Sequence, residues 1–328
     1  RREAAYDVVD SCAVDGICGT VCPVGIDTGA MVKKRRPHGR TSTLVANIAA
    51  RNMHTVRSAA RSMLRLARFI GAAGSHRLPG VVASGPVAAS RGDTCDLLYV
   101  PTCISATFRH ESAVRSLHDT ILMLAQGAGL RLRVLSKTDG CCGQPLSSQG
   151  YEGAAASTSS ILLKDIQRVL AGRAVPVMLD ASTCASALAS AARTEGVTVI
   201  DQIGFAELIL PYLSIEKSTR PLVIHPGCGV AKQGNTDRLI AIASQLSSNV
   251  IVPPSAACCG MGGMHGIKHP EVVKAATADE RTEILTHHAY DVSAIGISVN
   301  TICESALSQH IGIPFKGPVE VIAELLKY

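Results

Sequence analysis

The sequence predicts an α/β protein: two repeated, Rossmann-like cysteine-rich domains with mostly parallel sheets, preceded by a cysteine-dense segment and a long helix. Three observations carry this. Short β-branched runs alternate with helical runs over residues 94–328, the pattern of strand–helix–strand units with right-handed crossovers. Eight of the twelve cysteines form two copies of one spacing: Cys103, Cys141-Cys142-Gly143, Cys184, then Cys228, Cys258-Cys259-Gly260, Cys303. Each leading cysteine also follows an apolar run and a proline, with Pro101 before Cys103 and Pro226 before Cys228. The three anchors are offset by 125, 117 and 119 residues, a regularity that unrelated packing cysteines would not share.

The elements follow in order. Residues 1–40 are a partial ferredoxin-like segment built on Cys12-Ala13-Val14-Asp15-Gly16-Ile17-Cys18-Gly19-Thr20-Val21-Cys22-Pro23. In the bacterial ferredoxin run, cysteines separated by two, two and three residues precede a proline; only Asp15 departs, standing where the second cysteine belongs. Residues 41–93 form a helical linker. Val45, Ile48, Ala49, Met53, Val56, Ala60, Met63, Ala67 and Ile70 recur at spacings of three and four and predict one amphipathic helix over 41–70. Arg57, Arg61, Arg65 and Arg68 line another face, and the Gly, Ser, Pro and Ala of 74–93 predict a loop.

The first repeat, 94–217, has predicted strands at 96–101, 131–136, 175–180 and 197–201, with helices near 110–128, 150–171, 184–195 and 204–213. The second, 218–328, has strands at 221–225, 249–253 and 295–299, with helices near 233–247, 269–288 and 302–311. The cysteines then fall just past strand ends, where open α/β sheets place ligands.

Hydrophobic residues make up 47% of the chain and aromatics only 3%, so Val, Ile, Leu and Ala must fill the cores. No stretch approaches the roughly 20 apolar residues of a membrane span, and no secretion signal opens the chain. A cytoplasmic setting follows, in which clustered cysteines are more often metal sites than disulfides. The chain starts at Arg1 without an initiating Met and reads as the C-terminal part of something longer. Residues 1–80 hold 13 Lys/Arg against 5 Asp/Glu. That basic front end predicts an acidic partner or an anionic, salt-sensitive membrane contact. Nucleic acid is not expected, because Lys33-Lys34-Arg35-Arg36 has no accompanying recognition motif or aromatic platform. No dinucleotide fingerprint, phosphate-binding loop or hydrolase triad is present.

The chemistry therefore lies with sulfur. Cys12, Cys18 and Cys22 fit 4Fe-4S ligation; the last cysteine of such a run serves the other cluster of a pair, so Cys22 predicts partners upstream. Asp15 is either a hard carboxylate ligand that leaves one iron labile or a surface residue beside a three-iron cluster. A zinc loop is the alternative, made less fitting by the Cys-Pro ending. The eight repeat cysteines, Cys103, Cys141, Cys142, Cys184, Cys228, Cys258, Cys259 and Cys303, are read as metal ligands, and Cys95 as a packing residue. Gly143 and Gly260 free the backbone for close approach or positive φ. His225 is expected to be a hydrogen-bonded strand residue, while His265 and His269 either tune a cluster or serve as caps.

The run Asp10-Ser11-Cys12-Ala13-Val14-Asp15-Gly16 through Cys22-Pro23-Val24-Gly25-Ile26, followed by two cysteine-rich repeats, resembles the C-terminal half of the FAD-linked D-lactate and D-2-hydroxyacid dehydrogenases. The repeats resemble the Cys-Cys-Gly domains of the heterodisulfide reductase B subunit, the glycolate oxidase iron–sulfur subunit and the anaerobic glycerol-3-phosphate dehydrogenase C subunit. Cys258-Cys259-Gly260-Met261-Gly262-Gly263 with His269-Pro270-Glu271 is the most specific piece. The resemblance implies an oxidoreductase of the D-lactate dehydrogenase (cytochrome) kind. Its FAD and substrate domain lies outside this chain, and iron–sulfur clusters pass flavin electrons to a cytochrome or quinone, peripherally on the inner face of the membrane. A flavin accepts two electrons together, and one-electron centres pass them on. The alternatives are a separate, non-catalytic iron–sulfur subunit of a glycolate or glycerol-3-phosphate dehydrogenase, and a zinc-stabilised scaffold. One departure matters: Ala181 and Asn300 stand where full repeats carry a further cysteine. Each site keeps four thiolates, which puts a non-cubane cluster in question.

Overall fold

The computed structural model describes residues 9, 11–36, 38–69, 81–84, 94–110, 115–263 and 265–327. The end of the predicted long helix at 70 and most of the predicted loop over 74–93 lie outside them. Four helices lead the chain: Ile17–Val21 (α1), Thr28–Arg35 (α2), Arg40–Ala50 (α3) and Met53–Phe69 (α4). The single helix expected over 41–70 is thus two. At the break, the Met53 amide donates to Asp139 O at 3.2 Å and the Asn52 side chain caps Ile48 O at 2.8 Å, so a contact to the first repeat interrupts the ladder.

The buried face of these helices also differs from the expected stripe. Ala46, Ala50, Met53 and Arg57, four, three and four residues apart, are buried, while Val45, Ile48, Val56 and Met63 are exposed. An arginine stem packs as apolar surface, which a hydrophobicity pattern does not register.

A short antiparallel pair, Val81–Ala83 (β1) with Phe108–His110 (β3), was not predicted. Between these lies Leu97–Val100 (β2), the first strand of the first repeat. It is followed by Leu117–Gly127 (α5), Leu132–Val134 (β4), Gln144–Ser147 (α6), Glu152–Leu170 (α7), Val177–Leu179 (β5), Ser182–Thr194 (α8), Val199–Ile200 (β6) and Gln202–Ile209 (α9). The predicted helix near 110–128 starts only at 117, where Ser116 accepts from the Asp119 amide.

The second repeat runs Leu222–Ile224 (β7), Gly227–Lys232 (α10), Thr236–Leu246 (α11), Val250–Ile251 (β8), His265–Lys268 (α12), Pro270–Ala276 (α13), Ala278–Thr286 (α14), Ile295–Ile297 (β9), Thr301–Ile311 (α15), Phe315–Lys316 (β10) and Pro318–Glu324 (α16). The helix predicted over 269–288 is divided at Thr277, whose hydroxyl donates to Val273 O at 2.9 Å. Such back-bonding bends helices.

Each repeat makes one parallel four-stranded sheet, ordered β4-β2-β5-β6 and β10-β9-β7-β8. The first repeat places its first strand between its second and third, and the second repeat likewise seats β7 between β8 and β9. The sheet of the second repeat is completed by β10, followed by α16, which the sequence reading missed because Pro314 and Gly317 bracket a two-residue strand. Strands Leu97–Val100 and Leu222–Ile224 are buried throughout, as expected for a parallel sheet covered on both faces.

The repeats also exchange packing. Helix α5 lies against α16, α11 against α9, and α8 against α10. One core joins them, with Tyr99, Ile121, Phe205, Leu222, Ile242 and Ile322 among its members. Each fully buried side chain of this size contributes about 1.5–3 kcal/mol. The carboxyl ends of both sheets are held in fixed relation by it.

Candidate metal centres

In the first repeat every cysteine of the set follows a strand of one sheet. Cys103 lies in the turn after β2, Cys141 and Cys142 in the loop after β4, and Cys184 in the first turn of α8, after β5. Asp180, directly after β5, anchors the Cys103 turn. It accepts from Tyr99 OH at 2.5 Å, Ser105 Oγ at 2.5 Å and the Thr102 amide at 3.2 Å. Gly143 has φ +84°, and a Cβ there would meet Ala155 O at 2.7 Å, so the paired cysteines need glycine behind them.

The sulfurs converge. Cys141 Sγ lies 3.9 Å from Cys103 Sγ and 4.0 Å from Cys142 Sγ, and Cys184 lies near enough to Cys142 to raise its pKa. Hydrogen bonds from Cys103 and Cys142 push the Cys141 pKa well below the usual thiol value. The bond to Cys141, then burial, raises that of Cys103. Above them Arg57 is 9% exposed and donates to Thr138 O at 2.5 Å. It shares a pocket lining with all four cysteines; burial lowers its pKa, and the charges of Cys103 and Cys141 oppose that shift.

In the second repeat Cys228 lies in α10 after β7, Cys258 and Cys259 follow β8, and Cys303 is in the first turn of α15 after β9. Cys259 Sγ and Cys303 Sγ are 2.8 Å apart. That bond lowers the Cys259 pKa, whereas burial, then Cys259 and Asp15, pushes Cys228 up to about 12. Gly260 has φ +74° and packs with its Cα side against Val273. Beneath the set, His225 Nδ1 lies 2.9 Å from both carboxylate oxygens of Glu280. Both residues are buried, and His225 Nε2 has no hydrogen-bond partner among the described residues. Burial opposes protonation of this imidazole, yet the Glu280 bond and charge raise its pKa on balance.

The ferredoxin-like run docks onto the second set. The Asp15 carboxylate lies near enough to Cys258 and Cys228 to raise the pKa of both, while its Oδ1 accepts from the Ile17 amide at 3.1 Å and starts α1. A Cβ on Gly262 would meet Ala13 O at 2.3 Å, and one on Gly16 would meet the Lys232 ammonium at 2.6 Å. Arg36 ties the segment to the first repeat, donating to Cys12 O at 2.9 Å and to Ser148 O. Cys18 accepts from Thr28 Oγ1 at 3.1 Å. Backbone amides of Ile26, Val24 and Gly25 lower the pKa of Cys22, an amide nest suited to a thiolate.

Ala181 and Asn300, in the places of the further cysteines, precede α8 and α15 where the repeats meet. Asn300 Nδ2 donates to Thr183 Oγ1 at 2.8 Å, and the Ser182 amide donates to Val299 O at 3.1 Å. Cys95 is buried away from both sets, beside Arg131. His269 stacks on His265 at 4.6 Å. The sequence reading missed Arg57, Asp180 and Glu280. Only Asp180, a carboxylate abutting an apolar strand, had a visible signal.

Soft thiols gathered at strand ends under glycine loops are a donor set suited to iron–sulfur or zinc. The 3.9 and 4.0 Å separations are near the ~3.8 Å between two thiolates on one tetrahedral ion. A cubane spreads its ligands over four irons, so holding one requires these loops to open. Among the described residues no three His, Cys, Asp or Glu side chains already surround a single ion position.

The chain belongs to the cysteine-rich domain (CCG) family, whose model matches residues 97–189 and 222–307. It is 27% identical over 155 residues to the C subunit of the anaerobic glycerol-3-phosphate dehydrogenase of Escherichia coli strain K12 and, equally, of strain O157:H7. That match covers 44% of this chain and 38% of each relative, so the chain spans well under half the length of these proteins. Among solved structures, glutamate racemase RacE1 of Bacillus anthracis aligns at 14% identity over 71% of this chain and 80% of that one, with TM-score 0.33. Allantoin racemase of Pseudomonas fluorescens aligns at 12% identity over 70% and 87%, with TM-score 0.26. Both scores are too low to imply a common site.

Proposed function

We propose that this chain is the iron–sulfur electron-transfer module of a dehydrogenase whose substrate-oxidising site lies elsewhere. The observation that carries it is that thiols meet at matching sheet ends of the two repeats, Cys141 with Cys103 and Cys142 in one and Cys259 with Cys303 in the other, with a ferredoxin-like run seated beside the second. Cys103, Cys141, Cys142 and Cys184 would hold one centre and Cys228, Cys258, Cys259 and Cys303 another. Cys12 and Cys18 would hold part of a third, and Cys22 part of a partner cluster. Bound clusters would supply one-electron transfer. The chain's own residues set the charge around each centre, exclude water from it and hold its loops.

The finer reading is the module of an FAD-linked D-2-hydroxyacid dehydrogenase, D-lactate being the substrate class, with a cytochrome or quinone as acceptor. It rests on the likeness of the Asp15-bearing run and on the paired-cluster role of Cys22. The 27% identity to a glycerol-3-phosphate dehydrogenase C subunit favours a second reading, a separate iron–sulfur subunit. No helix of the described residues is long and apolar enough to cross a membrane; a peripheral contact would use the exposed Val45, Ile48, Val56 and Met63.

Anaerobically purified protein is expected to contain iron and acid-labile sulfide, with broad visible absorption bleached by dithionite. Stoichiometric zinc without iron would sink the electron-transfer reading and leave the scaffold. Reduction of the clusters by D-lactate in the complete enzyme, and not by glycerol 3-phosphate, separates the two dehydrogenase readings.

A further inference from the structure

We propose that a cavity beside the first thiol set binds a small oxyanion of the carboxylate or phosphate class. The cavity, about 170 Å³, is lined by His54, Arg57, Arg61 and Lys137 together with Pro101, Ala106 and Ser136, and among the described residues no carboxylate contributes to its wall. Three of these residues carry fixed positive charge. Arg57 is the built part of the site. Nine-tenths buried, it donates to one carbonyl, Thr138 O, and pairs with no carboxylate among the described residues. A guanidinium has five N–H donors, so donors remain beyond the one carbonyl it contacts. Arg57 and Pro101 also line the pocket of Cys103, Cys141, Cys142 and Cys184. The guanidinium therefore separates the cavity from the sulfurs and offsets the repulsion that thiolates would exert on an anion.

Arg61, one turn further along α4, has among the described residues only a long 3.4 Å contact to Ser58 Oγ. It is half-buried, and Lys137 is exposed at the mouth. Asp139 lies near enough to Arg57 to act on its charge but outside the lining. Beside the second thiol set it is the Asp15 carboxylate that lies near the sulfurs, a negative charge that disfavours an anion there. Oxyanion recognition by a planar, bidentate guanidinium backed by a lysine is the chemistry this arrangement provides. Nothing in it depends on which metal the thiols hold, so iron content and anion binding stand or fall separately.

The test is isothermal titration of the full chain at low ionic strength with oxalate and, in a parallel arm, inorganic phosphate. Chloride at matched ionic strength is the control. Dissociation constants on the order of 0.1–1 mM are expected for one or both, and the tighter arm identifies the ligand class. The double variant Arg61→Gln, Lys137→Gln should weaken binding about 10- to 100-fold with an unchanged melting temperature, while Arg193→Gln, outside the cavity, leaves it intact. His54→Gln provides a second probe should the double variant fold poorly. Binding weaker than about 10 mM in both arms, equal competition by chloride, or full affinity in the double variant overturns the proposal. The last outcome assigns any binding to another basic surface.

Discussion

The two thiol sets share a strand arrangement, a glycine after each cysteine pair and an absent further cysteine, yet opposite charges cover them. Arg57 of α4 closes over the first set, whereas Asp15 of the ferredoxin-like run reaches the second. Their foundations differ as well. Tyr99 and Asp180 brace the first turn, where the second repeat has Ile224 and Val299. His225 and Glu280 brace the second, where the first has Val100 in place of the histidine. The comparison teaches that duplication preserved the positions of the sulfurs while the surrounding polar residues diverged. In such a pair, the local field and not the ligand count distinguishes the centres.

The largest test of that divergence is to remove a foundation. His225→Leu strands Glu280 as a buried carboxylate and is expected to cost about 3–5 kcal/mol. Val100→Ala, at the matching place in the first repeat, should cost only about 1–2 kcal/mol. Urea unfolding of the two variants checks this, and equal losses would mean that the buried pair has no special role.

Next is the seat of the ferredoxin-like run. Gly262→Ala puts a methyl into Ala13 O at a residue with φ +45° and is expected to cost about 1–3 kcal/mol. Amide exchange should quicken over 11–36 and stay unchanged in the first repeat's sheet. Unaltered exchange over 11–36 would show that the segment is held by its other contacts.

A third pair of variants reads the opposing charges directly. With iron loaded, Arg57→Met should make the first centre's potential more negative, because a cation that favours the reduced state is gone. Asp15→Asn should make the second centre's more positive. Each shift should be on the order of 60–120 mV, measured by redox titration with spectroscopic separation of the two centres. Shifts of the same sign would break the comparison.

The smallest effect is an acid one. Asp96, bonded to Arg131 at 2.7 Å, has its pKa lowered to about 2 by that bond; the second repeat has Pro221 and Ser248 at the corresponding places. A depressed carboxylate pKa contributes stability present above the ordinary carboxyl value and lost as pH falls toward 2. Because the pair is exposed, its contribution is strongly screened. Asp96→Asn should lower the melting temperature slightly near neutrality and converge with the parent as pH falls toward 2, so the acid limb of a thermal-melt series flattens slightly.

Much of this was legible from spacing. Eight cysteines at matched offsets, each leading one past an apolar run, are a local pattern, and local patterns survive in sequence. The strands at 97–100, 177–179 and 222–224 are likewise runs that only a doubly covered parallel sheet buries. The helices over 40–69 differ from the sequence pattern for an equally physical reason: the packing face contains Arg57, and Val45, Ile48, Val56 and Met63 of the expected stripe are exposed while Met53 is buried.

By itself, then, the sequence determined the α/β class and the doubled cysteine pattern, because strand periodicity and cysteine spacing are set by neighbours along the chain. Only the tertiary structure decided that Arg57 lies over one set and Asp15 over the other, and that Glu280 holds His225. The partners in these contacts are 46, 243 and 55 residues apart, counting from Arg57 to Cys103, from Asp15 to Cys258 and from His225 to Glu280. Electrostatic partners are chosen by distance in space, which no spacing along the chain encodes.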